Sequence, residues 1–421
     1  MDSLRFLNPD QVRQIAKIFG TPVFVYDEKT LMNAAKSALS FPNRHGLTVR
    51  YAMKASPNRA ILKLFDQMGL SIDASSGYEA ERAIRAGISA HKIQITAQEL
   101  PENLLELVSQ GVSFNACSLH QLESFGRLFP RTKVSIRINP GLGSGHSNRT
   151  NVGGLSSSFG IWWEQIPELK QCAKKFGLTI HKLHTHIGSG ADPEIWKKVA
   201  RMSLAMAQEF ESVTSLNLGG GFKVARMDGE KQTDLHAAGS AVLEAFEDFY
   251  RVTGRPLALE IEPGTYLVAL AACVITQVID KVNTGKEGYT FLKVNSGMTE
   301  VTRPSLYGAQ HPLILVPKED RKKLDIENVL VAGHCCESGD LLTPEPGNPE
   351  GLLPRTMIAA TIGDYLVIEG AGAYCSGMST KNYNSFPEAT EILWEQNEQA
   401  RLIRKRQTLE QITQNESPYV S

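Results

Sequence analysis

The chain has 421 residues, long for a single hydrophobic core, which points to two domains. It is 42% hydrophobic and 21% charged, with 44 basic residues against 45 acidic ones and a net charge of −1. That balance argues against nucleic acid or an anionic membrane as partner and leaves a small molecule.

No apolar run approaches the roughly 20 residues of a membrane span. The start, MDSLRFLNPDQVRQIAKIFG, lacks the cationic and apolar regions of a secretory signal. Six cysteines, at 117, 172, 273, 335, 336 and 375, are too sparse for a disulfide framework. A reducing compartment is expected: the cytoplasm, or an organelle interior after a transit peptide has been trimmed.

TPVFVYD (21–27) reads as a strand that joins either the barrel described next or the C-terminal sheet. Eight short β-rich runs follow: TVRYAMK (48–54), LSIDAS (70–75), KIQIT (92–96), SFNAC (113–117), KVSIRIN (133–139), IHKLHTHI (180–187), SLNLGGG (215–221) and LALEIEPG (257–264). NRAILKLFDQM, GYEAERAIRAG, LPENLLELVSQ, LHQLESFGRLF and VARMSLAMAQEF lie between them with apolar residues at helical spacing. Strands alternating with amphipathic helices imply parallel βαβ units, and eight such units make a (β/α)8 barrel of about 250 residues.

After residue 270 the pattern changes. ACVITQVIDKVNT, YTFLKVNSGM, ENVLVAGHCC, TMIAATIGDYLVIEGAGAYC and ARLIRKRQT read as a mostly antiparallel β domain, with GKEG, PKEDRKK and TPEPGNPEG as loops. The expected division is a barrel over 30–275 and a β domain built from 1–29 and 276–421.

Polar residues and glycines gather at the C-terminal ends of the barrel strands, where barrel enzymes build their sites. Lys54 ends the first strand. A partly desolvated amine there suits Schiff-base chemistry, whereas a snorkelling surface lysine would mean nothing. Gly219, Gly220 and Gly221 end the seventh strand. Their N–H groups make an anion cup for a monophosphate or pyrophosphate, unless three glycines only serve tight packing. Glu262 ends the eighth, where a carboxylate can keep a pyridine nitrogen protonated. Amine, phosphate cup and acid together specify pyridoxal phosphate (PLP). A cofactor-free aldolase would explain Lys54 but not Glu262. His184 and His186 sit two apart on one strand face. Metal binding there has no apparent third ligand, and no metal is expected. Trp162, Trp163 and the methionines of RMSLAMAQEF read as packing.

YAMKAS, RINPG, HTHIGSG, NLGGGF, EIEPG, RPSLYGAQH, CESGD and GAGAY…YNSFP, in that order, resemble the PLP-dependent decarboxylases of the alanine-racemase-like fold, and among them the diaminopimelate decarboxylase family. The resemblance runs from about residue 20 to about 410. It implies decarboxylation of meso-2,6-diaminopimelate to L-lysine and CO2. The alternative is a decarboxylase of another basic amino acid: ornithine, lysine, arginine or a carboxylated polyamine.

By position, the resemblance makes Lys54 the cofactor-bearing lysine and stacks His186 on the ring. It places Ser189, Gly221 and Gly264 near the phosphate with Gly219 and Gly220, and puts Glu262 at the pyridine nitrogen. Asp73 and Arg137 lie around Lys54 and the ring hydroxyl. Arg303 meets a substrate carboxylate, Tyr307 the phosphate side, and Tyr374 closes over both. The resemblance also implies a homodimer in which the partner subunit supplies Cys336 as proton donor and Glu337 as the grip on the distal ammonium. On that reading Cys335 packs within its own domain, the two cysteines alternating faces on a strand.

Two positions depart from the family pattern. Thr265 stands where EPGR is common, and Phe386 where YNSRP is common. A lost arginine–carboxylate bond costs about 1.5–3 kcal/mol unless replaced, and Arg149 or Lys381 are the replacements the sequence offers. His146, His311 and His334 have no assigned task.

Overall fold

The computed structural model describes residues 3–141, 154–186 and 190–417. It divides into two compact units, one of Met32–Val224 and Lys231–Leu267, the other of Met1–Leu31, Ala225–Glu230 and Val268–Ser421.

The strands are numbered along the chain. After β1 (Val23–Asp27) come β2 (Leu47–Ala52), β3 (Ser71–Ala74), β4 (Ile93–Ile95), β5 (Ser113–Ala116), β6 (Lys133–Asn139), β7 (Ile161–Trp162), β8 (Thr179–His184), β9 (Ser215–Asn217) and β10 (Ala258–Ile261). In the first unit β2, β3, β4, β5, β6, β8, β9 and β10 pair in parallel in that order, and β10 pairs back onto β2. The ring is a closed eight-stranded barrel, and β7 is a short addition on β6. All eight strands read from the sequence are present.

The apolar positions make the ring: Tyr51, Ile72, Ile95, Ile136, Leu183 and Leu216 are fully buried. Local chemistry sets the turns above it. Asn58, Ser76, Ser118, Asp192 and Asp234 each accept a backbone N–H at the start of a helix that follows a strand. Helices Ile166–Phe176 and Leu235–Thr253 fill the two intervals in which the sequence reading named none.

The second unit holds β1 with β11 (Ala272–Asn283), β12 (Thr290–Val294), β13 (Leu313–Val316), β14 (Ile326–Ala332), β15 (Pro344–Glu345), β16 (Asn348–Leu352), β17 (Arg355–Ile358), β18 (Tyr365–Ile368), β19 (Thr390–Trp394) and β20 (Ala400–Arg404). Its main sheet runs β17-β14-β12-β11-β1-β19-β20, with β18 on β11 and β13 on β18. Among the described residues only β1–β19 and β12–β14 are parallel there. The TPVFVYD strand therefore belongs to this sheet, with Val23 opposite both Ile275 and Thr390. A domain boundary at 275 would cut β11, whose first residues pair with β1. TPEPGNPEG, read as a loop, is the β15–β16 hairpin, turned by Gly347 at φ +75°.

Candidate active site

Strand alternation that buries apolar residues around the barrel also points polar residues into its interior. At the base of this interior, Arg50 on β2 and Lys182 on β8 converge on Glu260 of β10, at 2.8 and 2.6 Å. Lys182 also donates to Gln94 Oε1 at 3.0 Å, and Gln94 donates to Glu262 at 3.3 Å. Asn217 on β9 donates to the same Glu262 oxygen at 2.6 Å. A ladder of hydrogen bonds thus climbs from the buried ion pairs to the mouth of the barrel.

Glu262, 5% exposed, follows β10 at that mouth. Burial raises its pKa, while Asn217, Arg137 and Arg50 pull the other way. Asp73 on β3 is 4% exposed and its Oδ1 has no hydrogen-bond partner. Burial first, and Glu262 second, push its pKa well above the ordinary carboxylate range, with Lys54 opposing. Arg137 on β6 is 4% exposed and lies 3.7 Å over the Phe159 ring. Two acids and one guanidinium are therefore held in a space with little water.

Lys54 lies in the turn Met53–Ala55 directly after β2, so strand geometry delivers it to this mouth. Its side chain is exposed. The expected partial desolvation of the amine is not present in the single chain; nearby charge is what surrounds it, since Lys54 acts on Asp73, Glu79 and His186.

Asn115 on β5 meets Nδ1 of His184 at 2.7 Å. With the Asn115 amide donating, the proton sits on Nε2, 3.4 Å from Glu262 Oε2. His186 is half-buried, and burial, Arg137 and Lys54 hold it well below the usual imidazole range, in the neutral form. Ligand atoms of His184, His186 and Glu262 lie within 4.8 Å of one another. The third ligand that was not apparent in the sequence for the two histidines is therefore Glu262. The hydrogen bonds from Asn115, Asn217 and Gln94 occupy His184 Nδ1 and Glu262 Oε1.

Two glycines are required by close approach. A Cβ at Gly219 would lie 2.7 Å from His186 Nδ1, and one at Gly220 would lie 2.3 Å from Glu262 O. The anion cup is narrower than three free N–H groups. Gly219 N–H goes to Asn217 Oδ1 at 2.8 Å, and Gly220 N–H faces His186 Nδ1 at 3.4 Å. Gly221, at φ +102°, accepts from Gly190 N–H at 3.2 Å through its carbonyl. Gly264 is packed against Ala52 and Ala55. Ser189 and Arg149 lie outside the described residues.

The second unit carries the other expected residues. Arg303 opens the short helix Arg303–Tyr307, and its Nη1 lies 2.9 Å from His311 Nε2. Tyr307 closes the same helix, half-buried. Tyr374 sits at φ +56°, a left-handed backbone rare for tyrosine. Lys381, offered as a replacement arginine, is committed to Glu388 at 3.2 Å.

The HCCESGD stretch is not a strand. β14 stops at Ala332, and residues 333–340 form a closed bend, bridged by Ala332 to Leu341 and by Gly333 N–H to Asp340 O at 2.8 Å. The alternating-face argument for Cys335 and Cys336 therefore fails, but their environments still differ. Cys335 is half-buried and burial pushes its thiol up to about 12, whereas Cys336 and Glu337 are exposed. Asp340 is buried and turned inward. Its carboxylate accepts from Met298 N–H at 2.7 Å and Cys335 N–H at 2.9 Å, so it braces the bend from within.

Residues that the sequence reading passed over do much of this positioning: Arg50, Gln94, Asn115, Lys182, Asn217 and Glu260. Their signal was available as polar residues inside short parallel strands whose neighbouring positions are largely apolar.

The barrel mouth fits pyridoxal phosphate. A buried acid stands ready for a pyridine nitrogen, Asp73 keeps a buried oxygen without a partner, and Gly219 and Gly220 leave no room for a Cβ.

The comparisons agree with this geometry. The family model described as pyridoxal-dependent decarboxylase, pyridoxal binding domain, matches residues 29–269. The diaminopimelate decarboxylase of Escherichia coli (strain K12) is 35% identical over 415 residues, covering 96% of both chains. That of Streptomyces coelicolor is 35% identical over 402 residues, covering 93% of this chain and 88% of its own. A crystal structure of diaminopimelate decarboxylase superposes with TM-score 0.90 at 34% identity, covering 97% and 96% of the two chains. The Helicobacter pylori enzyme complexed with L-lysine superposes with TM-score 0.83 at 27% identity, covering 95% and 98%. A fold, a barrel-mouth constellation and full-length similarity thus converge, and the chain belongs to the pyridoxal-dependent decarboxylases, in the diaminopimelate decarboxylase family.

Proposed function

We propose that the protein removes the carboxylate at the D-centre of meso-2,6-diaminopimelate, giving L-lysine and CO2, the last step of lysine biosynthesis. The observation that carries this reading is the grouping of Lys54, Asp73, Glu262 and two histidines at one barrel mouth, within full-length similarity to enzymes of that name. Pyridoxal phosphate bound to Lys54 would supply the sink for the electron pair left when the Cα–CO2 bond breaks.

This chain's own residues supply the rest. Glu262 holds the ring nitrogen in its protonated form. Asn217 and Gln94 keep that carboxylate oriented, and His186, neutral, stacks on the ring without adding charge. Asp73 and Arg137 fix the lysine side of the ring, and the Gly219–Gly221 cradle with Ser189 and Gly264 receives the phosphate. Tyr307 lies on the phosphate side, and Tyr374 closes over phosphate and substrate. Arg303, with its planar fork, takes a substrate carboxylate.

In this reading the enzyme is a cytoplasmic homodimer. Cys336 and Glu337 serve the partner subunit's site, where the thiol delivers a proton to Cα and Glu337 binds the distal ammonium. The exposure of both side chains, on a bend braced from behind by Asp340, supports that assignment.

Two experiments test it. Lys54→Ala should lose the absorbance of lysine-bound cofactor and all CO2 release from diaminopimelate; retained turnover would overturn the mechanism. Lys54→Ala and Cys336→Ala chains, each inactive alone, should recover partial activity when mixed. No recovery after proven subunit exchange would refute the shared site.

A further inference from the structure

Arg226 belongs to no motif. It lies in the short segment Ala225–Glu230, which groups with the sheet unit although barrel residues flank it on both sides. The residue is 8% exposed. Its Nε donates to Gly370 O at 3.0 Å, while its Nη2 is buried without a hydrogen-bond partner. Gly370 sits at φ +67°, and a Cβ there would lie 3.1 Å from Arg226 Cγ, so the glycine makes room for the stem.

The adjacent carbonyl holds the second half of the arrangement. Glu369 O lies 2.8 Å from His311 Nδ1, which sets the proton on that nitrogen and leaves Nε2 as an acceptor for Arg303 Nη1 at 2.9 Å. Successive carbonyls after β18 therefore anchor an arginine and a histidine, and the histidine aims a second arginine. Among the described residues neither guanidinium forms an ion pair with a carboxylate. Burial, and then the Arg303 charge, bring Arg226 down to about 9. Both cations also act on buried His311 and on Cys375. Two neighbouring guanidiniums with no ion-paired carboxylate, one with an unused buried donor, make an anion site.

We propose that Arg226 and Arg303 form a two-armed clamp for the carboxylate that the substrate keeps in its product. The inference deepens the decarboxylase reading and rests on it. Of the two carboxylates of diaminopimelate, one departs as CO2 and the other is retained. A site that holds the retained one with two forks binds a diamino dicarboxylic acid and its amino-acid product, and discriminates against a plain diamine.

The test uses full-length, PLP-loaded enzyme with Arg226→Met and Arg226→Lys. KM and kcat are measured for meso-diaminopimelate, together with competitive inhibition by L-lysine and by cadaverine, the same carbon chain without a carboxylate. Arg226→Met should raise KM and the L-lysine inhibition constant about 10–100-fold. The kcat should change far less, and cadaverine inhibition should stay within about twofold. Arg226→Lys should recover part of the lysine affinity. Equal shifts for lysine and cadaverine, or none, would overturn the clamp. If Arg226→Met does not fold, the ratio of the two constants in Arg226→Lys decides: a drop supports the clamp and an unchanged ratio refutes it. A wild-type enzyme that turns over ornithine but not diaminopimelate would instead overturn the function, independently of that ratio.

Discussion

The imidazole of His334 lies flat on the ring of Phe386, with centroids 3.6 Å apart and planes within 8° of parallel. His334 begins the bend that carries Cys336 and Glu337, and Phe386 occupies the position where the family pattern has arginine. Two residues earlier, Asn384 Oδ1 accepts the Cys336 N–H at 2.8 Å. The YNSFP stretch thus braces the bend at 333–340.

Removing that brace should loosen the thiol. Asn384→Ala should lower kcat about 10-fold with little change in KM, because the Cys336 backbone loses its one side-chain acceptor. Phe386→Ala should cost about 1 kcal/mol of stability from the lost stack and reduce kcat in parallel. Steady-state kinetics with thermal melts separate the two effects; wild-type kcat in both variants would show that the bend holds itself.

His311 positions Arg303 by accepting from it, so a substitution must keep an acceptor. Burial and the charges of Arg303 and Arg226 hold this histidine well below its usual range, so it stays neutral across the working pH. His311→Leu should raise KM for diaminopimelate about 10-fold, and His311→Gln should recover much of it. The pH–rate profile should keep its shape in His311→Gln, and a lost limb would contradict the neutral assignment.

Stability should fall as pH rises through the acid-to-neutral range. Burial lifts Glu300 from 4.5 to about 7, despite hydrogen bonds from Thr299 and Gly297. Between those values the folded chain keeps a proton that the unfolded chain has released. The stabilising contribution is full below about 4.5 and is lost as pH approaches 7. Glu369, raised to about 7 by burial, has the same sign. Glu300→Gln should flatten this slope and gain on the order of 2 kcal/mol at pH 8. Denaturant titrations at pH 5 and pH 8 check it; identical slopes for variant and wild type would refute it.

Beneath the barrel mouth Glu260 is the carboxylate that two buried cations share. Glu260→Gln leaves Arg50 and Lys182 facing each other in a dry interior. It should cost about 3–5 kcal/mol, enough to show as a large fall in melting temperature or as insoluble protein. Removing Arg50 and Glu260 together, as Arg50→Met/Glu260→Leu, should restore part of that loss.

The barrel was legible because parallel strands buried on both faces write themselves as apolar runs, and each of the eight runs ends within a few residues of the observed strand. Lys54, Glu262 and the glycine run could be read for the same reason: they stand where those runs stop. The second sheet was harder. β13 and β19 are short and sit beside proline or acidic residues, and they take their partners from far along the chain. The bend at 333–340 looked like strand because His334–Cys336 continue an apolar run. What breaks it is the Asp340 carboxylate, which accepts from Cys335 within the bend and from distant Met298, and no spacing rule announces that. Arg226 was invisible because its meaning lies in two carbonyls more than 140 residues away.

β1 has a consequence for how the chain is made. This apolar strand leaves the ribosome early, yet its two neighbours, β11 and β19, are encoded about 250 and 370 residues later. At 5–20 residues per second, β1 waits on the order of 10–50 s for its first partner, while the whole barrel is synthesised. VFVYD is then an uncovered, sticky segment with both edges open. The barrel has everything it needs long before the sheet does, so birth order favours a finished barrel that carries a loose N-terminal strand. Holding that strand out of trouble until Ala272 emerges is a task for the cell's chaperones.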